Sequence, residues 1–287
     1  MTAPYREFRP PGALARWVEC SWCIQPAVAV SGYPVRPDGC VDLFYGRESG
    51  VQVIGTMTAE SRFDLAPGSV AMGIRFRPGM AGPLLGVAPV ELTDLRVALD
   101  DLWGSAGGTA RGSAQGSARG SVRGSVRGSV RGSAQGGVRG NTWGHRAREL
   151  SCRLAEARTA EEQLRLLAAA LPSPPNGPDG VQRAIEAIAA SHGTVDLEWV
   201  ARQANLSPRQ FRRRCLEESG LAPKHLCRVL RFRHAWSLAE QAAGRDWSGI
   251  AAEAGYFDQP HLIRDFRELA GGSPMSVFSN TAAGLNR

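Results

Sequence analysis

Long apolar runs are missing from this sequence of 287 residues: no stretch approaches the ~18 consecutive apolar residues that a membrane-spanning helix needs. No charged-then-apolar leader opens it either, so a cytoplasmic location is expected and no membrane partner. Histidine is absent from residues 1–103. That leaves the one C-x2-C pair, Cys20 and Cys23, without the second pair or the histidines that a four-ligand zinc site requires. The six cysteines are scattered at 20, 23, 40, 152, 215 and 227, which does not read as a disulfide framework, and reduced thiols are the default. A P-loop, a nucleophile elbow and a dinucleotide fingerprint are also lacking. Asp38 and Asp42 offer a pair of carboxylates, but Pro37, Asp38 and Gly39 read as a turn, and the two share a face only along an unbroken strand. No enzymatic activity, cofactor or metal is expected.

Acidic residues are absent from one long stretch. Residues 104–148 hold 8 arginines and no acid, whereas 1–103 hold 9 basic against 11 acidic residues and 181–287 hold 14 against 11. The net charge of +7 therefore resides mainly in that stretch, and pI alone is a poor argument for nucleic-acid binding.

The composition divides the chain. Residues 1–103 contain short extended runs, YPVRPDGCVDLFYG, VQVIGT, SRFDL and SVAMGIRF, bounded by Gly, Pro or Ser, which predict a mainly-β, mixed α/β N-terminal domain with a regulatory or sensor role. FRPPGALARWVECSWCI is ambiguous between strand and helix. Pro78 is expected to open a short helix packing Met80, Leu84 and Leu85. Residues 104–141 repeat a Gly-Ser-small-Arg unit too polar to offset the entropy of ordering, and predict a disordered linker. Residues 142–172 carry Leu150, Leu154, Leu164, Leu167 and Leu171 at helical spacing, interrupted near Arg158 and Thr159. This amphipathic segment serves either dimerisation or packing onto the first domain. SPPNGPDG is a loop.

Residues 181–279 are expected to form one domain, and within it the stretch from Asp196 to Phe278 says nearly the same thing twice. At an offset of 51, Ser207 falls on Asp258, Phe211 on Leu262, Arg213 on Arg264, Glu217 on Glu268, Gly220 on Gly271 and Pro223 on Pro274. Upstream the offset is 50, matching Val200 with Ile250, Ala201 with Ala251, Ala204 with Ala254 and Asn205 with Gly255. Each copy reads as two short helices and a tight turn, with Asn205 or Gly255 supplying the left-handed residue. Ser207, Pro208 and Gln210 form a capping box. The faces left over carry Arg209, Arg212 and Arg213 in one copy, and Gln259, His261, Ile263, Arg264 and Arg267 in the other. These are mostly residue types that read base edges and phosphates. Between the copies, Pro223 to Gln241 predicts a helix about 28 Å long, suited to two recognition helices roughly one turn of B-DNA apart. The fold class is thus multidomain, with an all-α C-terminal domain of two helix-turn-helix units joined by a long helix.

DLEWVARQANLSPRQFRRRCLEESGLAPKHL and WSGIAAEAGYFDQPHLIRDFRELAGGSPMSVF resemble the DNA-binding domain of the AraC/XylS family of transcription regulators. The second matches the family's glycine, aromatic, polar run, arginine and phenylalanine as Gly255, Tyr256, Asp258, Gln259, His261, Arg264 and Phe266. The resemblance implies sequence-specific binding to double-stranded DNA through Arg209, Arg212, Arg213, Gln259, His261 and Arg264. Arg209 aligns with a base-reading position, while Pro260 departs from one, so the first unit is expected to supply more affinity and the second less readout. RNA polymerase, a small-molecule effector and a second copy of the chain are further candidate partners. Family members pair this domain with a cupin-like barrel, here without histidine for a metal. Trp17, Trp22, Tyr33, Phe44 and Tyr45 are candidates to line an apolar effector pocket or simply to fill the core. The alternative is a thiol- or zinc-dependent DNA repair or redox-sensing protein with an AraC-like delivery domain.

Overall fold

A computed structural model describes residues 5–10, 12–104, 109–111, 113–114, 129–131, 139–173, 175–242 and 244–285. Eight strands come first: β1 Tyr5–Phe8, β2 Val18–Ile24, β3 Val30–Val35, β4 Val41–Gly46, β5 Gly50–Ile54, β6 Ser61–Leu65, β7 Ala71–Phe76 and β8 Leu95–Ala98. Six of them form an antiparallel sheet in the order β1-β2-β7-β4-β5-β8, and β3 with β6 makes a separate ribbon. The ambiguous N-terminal run resolves into a 3-10 turn, Gly12–Arg16, followed by β2.

Alternation along the strands sorts the sheet into two faces. Val41, Leu43 and Tyr45 of β4 and Met72, Ile74 and Phe76 of β7 point into the main core, with Trp17 and Cys23. Trp22 and Cys20 of β2 pack on the other face, against Phe44, Tyr33 and Leu65. Gly73 lies beneath Trp22; a Cβ there would sit 2.9 Å from the indole. Of the five aromatics expected as pocket or core, Trp17 and Tyr45 are therefore core and the other three belong to the second face.

Pro78 does not open a helix. Helix α1 is Gly82–Leu85 with its proline one residue in, while Met80, Leu84 and Leu85 are buried as expected. Helix α2 is Leu99–Gly104. Within the expected linker, Thr109–Arg111 (β9), Ser113–Ala114 (β10) and Ser129–Arg131 (β11) are short strands, β10 on the edge of β8 and β9 paired with β11. The Gly-Ser composition does not anticipate them. Gly104 ends α2, Arg139 to Asn141 already belong to the next helix, and the remainder of that stretch, with its expectation of disorder, lies outside the described residues.

Helices α3 Arg139–Glu156 and α4 Ala160–Ala170 follow, separated by the N-cap Thr159, whose side chain accepts from the Glu162 amide. Leu150, Leu154, Leu164, Leu167 and Leu171 all join the core of the sheet. The stripe that would serve dimerisation is thus spent within the chain.

A second core runs from Val181 to Phe278 and is entirely helical. It comprises α5 Gly180–Ala190, α6 Leu197–Gln203, α7 Pro208–Ser219, α8 Pro223–Gln241, α9 Trp247–Glu253, α10 Gln259–Ala270 and α11 Pro274–Leu285.

The two cores are docked on each other through specific polar contacts. Thr56 Oγ1 donates to the Ser219 carbonyl at 2.8 Å and Thr93 Oγ1 to the Gly220 carbonyl at 3.0 Å, satisfying orphan acceptors at the end of α7. Gly220 is left-handed at φ +77°, and a Cβ there would lie 2.8 Å from Thr93 Oγ1, so both backbone and neighbour demand glycine. Arg233 of α8 forms a bidentate pair with Glu19 of β2, and the Cys40 thiol donates to the same carboxylate at 3.4 Å. The Arg36 guanidinium lies 3.7 Å from the ring centroid of Trp236 on α8.

Burial would raise the Glu19 carboxyl, but hydrogen bonds and charge from Arg233 hold it below its ordinary value of 4.5. A depressed carboxyl stabilises the docked state above its ordinary value and loses that contribution as pH falls through the lower docked-state value. Arg233 is 40% exposed, so screening limits the pair to about 1 kcal/mol. Thermal unfolding from pH 7 down to pH 3 is expected to show Glu19→Gln less stable at neutral pH and the difference vanishing in acid; a constant difference contradicts this assignment.

Candidate nucleic-acid interface

Each helical pair is closed by the residues expected to close it. Asn205 and Gly255 are left-handed, at φ +54° and +79°. Ser207 caps α7 through a reciprocal box with Gln210, and Asp258 caps α10 by accepting from the His261 amide at 2.8 Å. Phe211 and Cys215 of α7, and Leu262 and Phe266 of α10, face the core. That fixes which sides of the two helices look outward.

On α7, Arg209, Arg212 and Arg213 are all exposed, and only Arg213 has an ion-pair partner among them, Glu217 at 3.9 Å one turn on. An exposed i,i+4 pair is worth a few tenths of a kcal/mol, so the guanidinium is readily given up to a stronger anion. Arg214 points elsewhere: it bonds Asp179 Oδ2 at 2.5 Å and fastens α7 to the cap of α5. The arginine-rich run therefore divides into three outward residues and one structural one.

On α10 the set is less uniform. Arg264 is exposed and lines a shallow groove with Pro260, Ile263, Arg267 and Glu268. Gln259 is half-buried, its Oε1 accepting from Ser248 Oγ at 3.1 Å across to the first turn of α9. The His261 ring stands edge-on to the buried Tyr256 at 5.1 Å. Gln259 and His261 thus begin from intramolecular contacts, whereas Arg264 is presented outright.

Helix α8 holds the two units together. Its 19 residues bury Leu226, Val229, Leu230, Phe232, Trp236 and others over much of its circumference. Phe232 and Trp236 pack on Phe266 of α10 with centroids 5.0 and 5.8 Å apart. Arg228 donates through Nε and Nη2 to Asp265 Oδ1 at 3.0 and 2.8 Å, and Asp265 is only 1% exposed. A buried carboxylate needs that partner, and the pair sets the orientation of α10 on α8.

A second concavity, of about 990 Å3, lies between the second face of the sheet, the β3–β6 ribbon and α8. Trp22 and Phe44 line it from the sheet, Tyr33 from the ribbon, and Phe232 and Trp236 from α8. Arg96 lies over the Phe44 ring at 4.7 Å. At its base Arg75 pairs with Asp38 at 3.2 Å and Asp42 at 3.3 Å, and Asp42 also accepts from Trp22 Nε1 at 3.0 Å. The two aspartates do come together, across Arg75 rather than across a substrate. Against the burial that would lower it, Asp42 and Asp38 hold the Arg75 guanidinium well above its ordinary value.

The C-x2-C pair does not converge. Cys23 lies in the main core and Cys20 on the opposite face of β2, where burial pushes its thiol up to about 12. Among the described residues no group of three or more His, Cys, Asp or Glu side chains is placed to hold a metal.

Residues 6–98 match a domain of unknown function, and residues 200–280 match a helix-turn-helix domain. No curated protein matches the chain. Among solved structures, the DNA-binding domain of AdpA in complex with a target DNA is 25% identical over 37% of this chain and 96% of its own, with a TM-score of 0.34. A DNA-binding transcriptional dual regulator from Escherichia coli K-12 is 21% identical over 39% and 99%, with a TM-score of 0.33. ToxT from Vibrio cholerae is 10% identical over 95% and 97%, with a TM-score of 0.38. The assignment rests on the helix-turn-helix match and on the duplicated, capped geometry above. Residues 200–280 of this chain are an AraC-type helix-turn-helix domain, set behind an N-terminal domain of unknown function.

Proposed function

We propose that the protein is a sequence-specific DNA-binding transcription regulator whose α7 and α10 enter two successive major grooves on one face of the duplex. The observation that carries this reading is the pair of capped helices with outward polar faces, both packed into the core that the 19-residue α8 runs through, α7 by Phe211 and Cys215 and α10 by the Phe266 stack and the Arg228–Asp265 pair. At ~1.5 Å per residue that helix spans about 28 Å, close to the roughly 34 Å of one duplex turn. Residues 181–279 form the DNA-binding unit. Arg209, Arg212 and Arg213 contact one groove and Gln259, His261 and Arg264 the next. Because Gln259 and His261 of the second set begin from intramolecular contacts, the first unit supplies the larger share of affinity. The opposite placement of Cys20 and Cys23 favours this reading over a thiol or zinc site.

Regulation falls to residues 1–103 and the cavity between sheet and α8, which we assign to a small-molecule effector. Its lining sets aromatic side chains beside charged ones such as Arg36 and Arg96, which favours a planar compound with polar substituents. Trp236 lines the cavity and also stacks on Phe266 of α10, so an occupant touches the support of a recognition helix directly.

Two measurements check these assignments. With a duplex selected from random DNA, Arg213→Ala is expected to cost about 1 to 3 kcal/mol and relax preference at one base pair; equal weakening on all sequences makes Arg213 a phosphate contact instead. Screening small aromatic compounds by tryptophan emission is expected to yield ligands whose signal is reduced in Trp236→Phe and lost when Trp22→Phe is added, since both indoles line the cavity. Ligands that perturb the emission of wild type and of the double variant alike place the effector site elsewhere.

A further inference from the structure

The two helix-turn-helix copies differ by one residue, and the structure identifies it. In the first copy the turn runs Asn205, Leu206, Ser207: a left-handed residue, a partly buried side chain packed on the core, and the N-cap of α7. In the second, Gly255 is the left-handed residue, Tyr256 takes the core position at 5% exposure, and the cap is Asp258. Phe257 lies between them with no counterpart in the first copy. Its side chain is 94% exposed, more than any other large apolar residue among those described.

An exposed phenylalanine contributes nothing to the core, and Tyr256 already fills the position that the fold requires. Its place is nevertheless fixed, because Gly255 and the Asp258 cap hold the backbone on either side. That place immediately precedes the N-terminus of α10, and helix-turn-helix units present the N-terminal residues of their second helix to base edges. Phenylalanine is uncharged and has no hydrogen-bonding atom on its side chain, so it neither pairs with phosphate nor reads a donor or acceptor. The feature of a major groove that it matches is the thymine C5-methyl group.

On the basis of the DNA-binding function proposed above, we infer that Phe257 is a specificity-determining residue that packs on a thymine methyl at the edge of the groove read by α10. It compensates in part for Pro260, which offers no polar atom to a base, and it gives the second unit an apolar element of readout that the first unit lacks.

Replacing thymine by deoxyuracil removes the methyl and leaves pairing intact, which allows a double-mutant cycle on the full-length protein. On a duplex selected from random DNA by wild type, Phe257→Ala is expected to weaken binding about threefold to tenfold, and deoxyuracil at one thymine of the second half-site to weaken wild type by a similar factor. Combined, the two changes cost no more than either alone, and the salt dependence stays that of wild type because no phosphate contact is lost. The exposure of Phe257 leaves folding unaffected, which the melting temperature of the variant verifies. Unchanged affinity of Phe257→Ala, or fully additive losses at every thymine, overturns the contact while leaving the regulator assignment intact. Failure of wild type to prefer the selected duplex over a scrambled one overturns that assignment and the contact with it.

Discussion

Helix α8 is the constraint on which the rest of the structure depends. Its 19 residues are asked to do three things at once: fill the second core, fix both helix-turn-helix units, and meet the N-terminal sheet. Buried side chains therefore occupy most of its circumference instead of the single stripe of an amphipathic surface helix. Two of its arginines are committed across the molecule, Arg228 to Asp265 of α10 and Arg233 to Glu19 of the sheet. Asp265 is buried and Glu19 partly so, and either carboxylate would be costly to leave alone.

The same helix makes the two domains mechanically continuous. Thr56 and Thr93 grip the end of α7 through backbone carbonyls, and Arg36 rests on Trp236, which in turn stacks on Phe266 and Phe278. Docking nonetheless leaves Arg209, Arg212, Arg213 and Arg264 exposed. The N-terminal domain thus bears on α8 and on the end of α7, and not on the exposed arginines of α7 and α10. Regulation by a change in the relative setting of α7 and α10 fits this arrangement better than regulation by covering them.

Much of the helical half was legible because its signals are local. The capping residues Ser207 and Asp258, the left-handed Asn205 and Gly255 and the limits of α8 follow from residue chemistry within a few positions of each helix end. The sheet is legible as extended runs, but its two faces are not, since deciding that Trp17 and Tyr45 are core while Trp22 and Phe44 face the cavity requires strand register. The Arg75 cluster, the threonine contacts to α7 and the Glu19–Arg233 pair join residues far apart in sequence, and no local pattern announces them. Pro78 misled because a proline can precede a helix by several residues, and here a turn intervenes before Gly82. The meaning of Phe257 was hidden for a different reason: the one-residue slip between the copies is visible in sequence, but only burial shows that Tyr256 satisfies the core and leaves its neighbour outside.

In the proposed complex, α8 sets α7 and α10 at the spacing of successive major grooves. Hydroxyl-radical footprinting of the full-length protein on a duplex selected from random DNA tests it most directly. Two protected segments separated by about 10 base pairs on one face of the helix are expected. A single short footprint, or two whose spacing places them on opposite faces of the duplex, contradicts the account.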